Sequence, residues 1–154
     1  LHFVPADERE RQWRSYGVDP LDESFTPELF LRLVREKPQA AIKPLLMDQS
    51  RFAGIGNAYS DDILYEARLH PLRKGGSLSD DELRRLYDAV RAVLNEAVEA
   101  GGETGWTRLD GSQGRYVTKV HGREECGDGG GKVEKIKVGG RTGYYCPSRQ
   151  RLET

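Results

Sequence analysis

The sequence has few cysteines and no long apolar run, and both features narrow the class of protein. Two cysteines in 154 residues are too few for the disulfide framework of a small secreted domain. No stretch approaches the roughly eighteen apolar residues that a membrane helix needs. The first fifteen residues do not have the charged head and apolar centre of a signal peptide. With 36% hydrophobic and 32% charged residues, we expect a globular domain with a cytoplasmic location.

The chain also lacks a net charge of either sign, since its formal value is −1. That value alone argues against binding to a nucleic acid. The charges are unevenly distributed, however: residues 115–151 contain nine lysines and arginines against four aspartates and glutamates. A basic segment on a neutral chain is typical of a surface that faces phosphates. A solvated, lysine-rich hairpin explains the same charges equally well.

The hydrophobic pattern predicts a mainly helical body followed by a small β appendage. Helices are expected at residues 26–38, 40–48, 57–68 and 79–100. Ser79 and Glu82 form a capping box at the start of the last helix. After a glycine-rich loop, YVTKVHGR at residues 116–123 predicts a short strand, and residues 132–146 predict a hairpin that turns at Gly139 and Gly140.

The segment RFAGIGNAYSDDILY, residues 51–65, places Gly54 and Gly56 directly before Asn57 and a helix. A helix N-terminus carries unpaired N–H groups and a partial positive charge, which together bind an anion. Glycine lets that backbone approach the anion closely, the Asn57 amide adds a donor, and Lys43 is a candidate for a full positive charge at the same place. A tight helical corner with Asn57 as an ordinary N-cap remains the alternative.

The longer segment AIKPLLMDQSRFAGIGNAYSDDILYEARLHPLR closely resembles the helix–two-turn–helix of the bacterial formamidopyrimidine-DNA glycosylase and endonuclease VIII family. YGVDPLDESF resembles the interdomain linker of that family, LSDDELRRLYDAVRAVLNEAVEAGG its long helix, and KVHGRE and GGRTGYYCPSRQR the two sides of its C-terminal finger. The resemblance implies a remnant strand and linker at residues 1–23, a helix–two-turn–helix domain and loop at 24–112, and a zincless-finger-like β-hairpin at 113–154.

The family removes oxidised bases from DNA and nicks the strand at the resulting abasic site. The resemblance therefore implies that duplex DNA, damaged or abasic, is the partner of this chain, at the nucleoid. It also implies that Lys43, Gly54, Gly56 and Asn57 hold the phosphates beside the lesion, and that Arg141 on the hairpin inserts between them. Such contacts neutralise phosphate charge, so binding is expected to weaken with salt.

The catalytic residues of the family have no counterpart in this sequence. The family nucleophile is an N-terminal proline, followed by a glutamate, on a separate β-rich domain. No residue here is assigned a catalytic role, and we expect the DNA-binding part of a repair protein without that domain. Two alternatives remain: a standalone glycosylase and abasic-site lyase that uses a substitute amine, such as its own N-terminus or Lys43, or a nucleic-acid-binding module outside repair.

The finger also departs from the family pattern, in which two Cys-x-x-Cys pairs bind zinc. Cys126 and Cys146 remain, but Gly129 and Arg149 occupy the other two ligand positions. We therefore expect no zinc and no other cofactor. Free thiols are the expected state in a reducing cytoplasm, with a Cys126–Cys146 disulfide as the alternative. The loop at residues 102–116, which contains Trp106, is shorter than its family counterpart, so no lesion preference is predicted.

Overall fold

The structure is a computed structural model that describes residues 17–100, 117–127 and 131–152. Its helices are α1 (Pro27–Arg35), α2 (Ile42–Leu46), α3 (Asn57–Ala67) and α4 (Asp80–Glu99), with a 3-10 turn at Gly75–Ser77, and its strands are β1 (Glu134–Val138) and β2 (Arg141–Tyr145). The expected mainly helical architecture with a small β-hairpin is confirmed. The predicted strand near the N-terminus, the 102–116 loop with Trp106, and Gly129 lie outside the described residues.

Local capping signals set the starts of α1 and α4. The Thr26 hydroxyl accepts from the Leu29 amide at 3.2 Å, and Pro27 occupies the first turn of α1. At α4, the Glu82 amide donates to Ser79 Oγ at 3.1 Å, and the Ser79 amide donates to Glu82 Oε1 at 3.0 Å. This reciprocal pair confirms the predicted capping box.

The core lies between α1, α3 and α4 and is rich in aromatic rings. Phe25 packs against Phe30 with ring centroids 5.7 Å apart and stacks on Tyr87 at 4.9 Å. Tyr87 also donates its hydroxyl proton to the Phe25 carbonyl at 2.8 Å. The inward stripe of α4 is buried: Leu83, Leu86, Val90, Val93, Leu94 and Ala97. Helix α3 is therefore a rigid platform for the groups that it presents.

The segment before the hairpin is fixed by a buried carboxylate rather than by a strand partner. Asp62 on α3 accepts from the amides of Lys119, Val120 and His121 at 3.0, 3.0 and 3.3 Å. The prediction of a strand at residues 116–123 was wrong for the described residues 117–123, which form bends and turns. Three amides that converge on one carboxylate are not available for a β-ladder.

The hairpin has the turn that its sequence predicts. Val138 pairs with Arg141 across the turn, and Gly139 and Gly140 adopt φ values of 59° and 80°. Positive φ at both central residues is the requirement of a type I′ hairpin turn, so the prediction of a tight Gly-Gly turn is confirmed.

In the described part of the chain, no helix is long and apolar enough to cross a membrane.

Candidate nucleic-acid interface

The N-terminus of α3 is open, and a tight turn aims it outward. Gly56 is its N-cap, and no side chain among the described residues caps it. The first-turn amides of a helix have no intrahelical acceptor, and such amides suit an anion from outside the helix. Gly54 turns the chain at φ 90°, a conformation that favours glycine, and its amide donates to Gln49 Oε1 at 2.9 Å. Gln49, which no sequence signal singled out, also donates to the Ile55 carbonyl at 3.0 Å.

Neither backbone conformation nor packing within the described structure requires glycine at position 56. Its backbone is extended, with φ −90° and ψ −178°, which any residue can adopt. Among the described residues, a Cβ built there meets no atom within 4 Å, and the residue is exposed. The place that a side chain would take at the start of α3 is therefore open.

Asn57 joins this helix end to the hairpin. It is the first helical residue rather than the N-cap, so the N-cap alternative for Asn57 was wrong. Its Nδ2 donates to the Thr142 carbonyl at 3.1 Å, across 85 residues of sequence. Its Oδ1 is buried without a hydrogen-bond partner in the described structure. The side chain therefore holds β2 in place beside the helix end.

Arg141 lies next to Thr142, at the first position of β2, and is exposed. The turn before it rests on α2, because a Cβ built on Gly139 would lie 3.3 Å from Pro44 Cβ. The structure thus brings Arg141, Asn57 and the glycine turn to one face of the molecule. These residues combine a guanidinium, a side-chain amide and backbone N–H groups, all of which suit phosphate oxygens.

Lys43, which was expected to hold a phosphate directly, is buried in this structure, and that role stays a prediction. Its side chain is 1% exposed, and Nζ lies 2.6 Å from Asp61 Oδ1. Nζ also donates to Ser60 Oγ at 2.8 Å and to the Asn57 carbonyl at 3.3 Å. Burial lowers the pKa of Lys43 against the opposing effect of Asp61, and nearby Arg141 lowers it further. Breaking the ion pair would leave a buried charge without a partner, so the ammonium is held in place. From there it donates to the Asn57 carbonyl and stabilises the first turn of α3.

Asp61 links this support to the finger. Its second oxygen, Oδ2, lies 2.6 Å from His121 Nδ1, and the His121 ring packs edge-on against Tyr144 at 4.8 Å. Asp61 therefore contacts both Lys43 on α2 and His121 in the segment before the hairpin. Sequence reasoning did not find this residue. Its only signal is a pair of adjacent carboxylates, Asp61 and Asp62, among the predicted inward-facing residues of α3.

The residues at the finger positions do not fit a zinc site. Cys126 and Cys146 are joined by a disulfide in this structure, which is the alternative to free thiols that the sequence left open. Arg149, at a family ligand position, carries a cation. Its guanidinium lies 4.5 Å from the centre of the Tyr65 ring, and its Nε donates to the Tyr65 carbonyl at 2.8 Å. Within the described ranges, no group of three or more His, Cys, Asp or Glu residues is placed to hold a metal ion.

An open helix N-terminus held against an arginine-bearing hairpin places the chain in the class of helix–two-turn–helix folds. The formamidopyrimidine-DNA glycosylase H2TH domain matches residues 16–108. The chain belongs to the formamidopyrimidine-DNA glycosylase family. The formamidopyrimidine-DNA glycosylase of Pelotomaculum thermopropionicum is 42% identical over 99% of this chain and 62% of its own length. That of Thermus thermophilus is 43% identical over 87% of this chain and 53% of its own length.

Solved structures of the same family share the fold. The MutM (Fpg) protein of Thermus thermophilus matches with a TM-score of 0.86 at 40% identity, over 97% of this chain and 59% of its own. The Lactococcus lactis Fpg in complex with abasic-site DNA matches with a TM-score of 0.86 at 31% identity, over 96% of this chain and 57% of its own. This chain therefore spans somewhat more than half the length of the relatives that it matches.

Proposed function

We propose that this chain binds the sugar–phosphate backbone of duplex DNA at or beside a damaged or abasic site, as the DNA-binding portion of a base excision repair protein. The ligands are the backbone amides of Gly56, the N-cap of α3, and of Asn57, its first residue, together with the Arg141 guanidinium. The observation that carries this proposal is the hydrogen bond from Asn57 to Thr142, which fixes the two phosphate-binding elements beside each other. The Lactococcus lactis relative, solved with abasic-site DNA, supports the choice of ligand.

The proposed contacts hold a strand without reading its sequence. Backbone amides and a guanidinium recognise phosphate oxygens, which are the same at every nucleotide. The partial positive charge of the α3 N-terminus adds to the full charge of Arg141. Binding is therefore tolerant of sequence and sensitive to salt, because each neutralised phosphate releases counterions.

The hairpin serves as a zinc-free finger in this proposal, and the three-part division at residues 23 and 112 describes the chain. The disulfide and the Arg149–Tyr65 contact hold the positions at which the family pattern has zinc ligands. Binding to duplex DNA would locate the protein at the nucleoid. No zinc and no other cofactor takes part in the phosphate contacts described here.

We assign no catalytic residue to this chain. Among the candidate substitute amines, Lys43 is enclosed by Asp61, Ser60 and the Asn57 carbonyl, so its ammonium does not reach a sugar carbon on the surface. Borohydride reduction in the presence of abasic-site DNA traps any Schiff base that a protein amine forms. We expect no trapped adduct with this chain, and a covalent adduct would assign it the lyase chemistry.

Fluorescence anisotropy with an abasic-site duplex, an undamaged duplex and a structured RNA of equal length tests the proposal. We expect binding to both duplexes and weaker binding to the RNA. Preference for the RNA would instead identify a nucleic-acid-binding module outside repair. Asn57→Ala and Arg141→Ala should each weaken binding to the duplexes, whereas Arg84→Ala, which removes an exposed arginine on α4, should not.

A further inference from the structure

The Cys126–Cys146 disulfide closes the base of the hairpin. The bonded cysteines are 20 residues apart, and both β1 and β2 lie between them. Cys126 is 5% exposed and Cys146 is fully buried. The bond therefore ties the end of β2 to the segment that Asp62 anchors on α3.

The disulfide is also a large part of the core beneath the finger. That small cluster consists of Tyr65, Val120 and the two cysteines, with Val133 and Tyr144 packed against it. The helical body has a separate and much larger cluster built on α1, α3 and α4. Breaking the disulfide should therefore loosen the finger while the helical body stays folded.

The finger position decides where Arg141 points. Cys146 directly follows β2, and Arg141 is the first residue of the same strand. Between them, Thr142 accepts the Asn57 hydrogen bond that sets the hairpin beside the helix end. Loosening the end of β2 at Cys146 should therefore also loosen Arg141, which the proposed phosphate contact requires.

We propose that the Cys126–Cys146 disulfide is a redox switch for phosphate binding, an inference that rests on the proposed DNA-binding function. In the oxidised state the cross-link holds Arg141 beside the α3 N-terminus. A dithiol reductant exchanges with the disulfide, so that two protein thiols form and the reductant becomes the disulfide. An oxidised disulfide of low molecular weight reverses the exchange.

Reduction loosens the finger without releasing it. Arg149 still stacks on Tyr65, and Gln150 still donates to the Leu69 carbonyl at 2.9 Å. Zinc does not replace the lost cross-link, because Arg149 is a cation at a family ligand position. The buried sulfur atoms also mean that a reductant reaches them only when the finger opens locally.

If the switch exists, the disulfide must strengthen DNA binding, and bound DNA must in turn stabilise the disulfide. By linkage, the factor by which the disulfide strengthens DNA binding equals the factor by which DNA stabilises the disulfide against reduction. The DNA-bound finger is also closed for more of the time, so its reduction is slower. These two effects are measurable separately from the affinity itself.

The test compares the full chain in its oxidised state with the same chain reduced by dithiothreitol, using the abasic-site duplex. We expect about tenfold weaker binding after reduction, a typical coupling between two sites. The Cys126→Ser/Cys146→Ser variant should bind like the reduced chain and ignore the reductant. Hydrogen exchange should show faster exchange of the β1 and β2 amides in that variant, with α4 unchanged.

The outcomes separate the two proposals. Equal affinity in the two redox states, with binding present, overturns the switch and leaves the proposed function standing. Absence of binding in both states overturns the proposed function and the switch together. Recovery of affinity when zinc is added to the reduced chain would also overturn the switch. A glutathione redox titration should show the disulfide stabilised by the duplex by the same factor as the affinity ratio.

Discussion

Asn57 Nδ2 donates to the Thr142 carbonyl at 3.1 Å, and this bond ties the N-terminus of α3 to the strand that begins with Arg141. The two residues are 85 positions apart in sequence. The bond uses a side-chain amide to place a guanidinium beside a helix end. The phosphate-binding face therefore depends on tertiary structure as much as on its own ligands.

Asn57→Ala should weaken binding to an abasic-site duplex by about 1–3 kcal/mol, because it removes the hydrogen bond to Thr142 that holds Arg141 beside the start of α3. The change removes a donor and also frees Thr142 and β2. Anisotropy titration at fixed salt measures the loss. Gln49→Ala tests the same face independently, because it removes the hydrogen bonds that hold the Gly54 turn and leaves the hairpin contacts intact. It should also weaken binding. Unchanged affinity in both variants would place the DNA elsewhere.

Arg141→Ala should lower the dependence of affinity on salt. A guanidinium that neutralises one phosphate contributes a slope of about one in the plot of log affinity against log salt concentration. Titrations at several salt concentrations give that slope for the wild-type chain and the variant. Arg84→Ala carries the same change in net charge on α4 and should keep the wild-type slope. A parallel loss in both arginine variants would point to a general charge effect.

Lys43→Met should destabilise the fold by about 3–5 kcal/mol, because it leaves Asp61 as a buried carboxylate without its ammonium partner. Chemical denaturation followed by circular dichroism measures the free energy of unfolding. Lys74→Met, at an exposed lysine, should stay within about 0.5 kcal/mol of the wild type. Equal stability of the two variants would show that the Lys43 ammonium is not held in a buried pair.

Stability should fall as the pH drops below about 6.5, because burial lowers the pKa of His70 from its ordinary value. The unfolded chain then takes up a proton at a higher pH than the folded chain does. The His70 contribution is complete above the unfolded pKa and is lost as the pH falls toward the lower folded value. His70 packs against Tyr145 at 4.5 Å, so the finger is the part affected. Unfolding from pH 5 to 8 measures the effect, which His70→Asn should reduce.

Local signals were enough to predict the helical frame. The Thr26 cap, the Ser79–Glu82 capping box and the Gly139–Gly140 turn lie where their short-range chemistry requires. The resemblance to the family, rather than any local signal, indicated Arg141 and strengthened the case for Asn57 as phosphate-binding residues. The structure brings the two residues to one face. Periodicity alone could not have joined them, because their contact runs through Thr142.

Sequence reasoning did not predict the contacts of the buried polar groups. Lys43 was expected to hold a phosphate, and in the structure Asp61 and Ser60 on α3 satisfy its ammonium inside the fold. The segment around His121 was expected to be a strand, but Asp62 takes its amides. A buried carboxylate does not reveal its partner in the sequence, since that partner lies about 60 residues away along the chain.

The backbone amides of residues 119–121 form an anion-binding site, and the Asp62 carboxylate of the same chain occupies it. Three successive amides of the 119–121 segment converge on the carboxylate, much as the α3 amides are offered to a phosphate. The inner anion is covalently part of the chain, so its effective concentration is always high. Sulfate or inorganic phosphate in excess should therefore displace DNA from the outer site while the finger remains attached at the inner one.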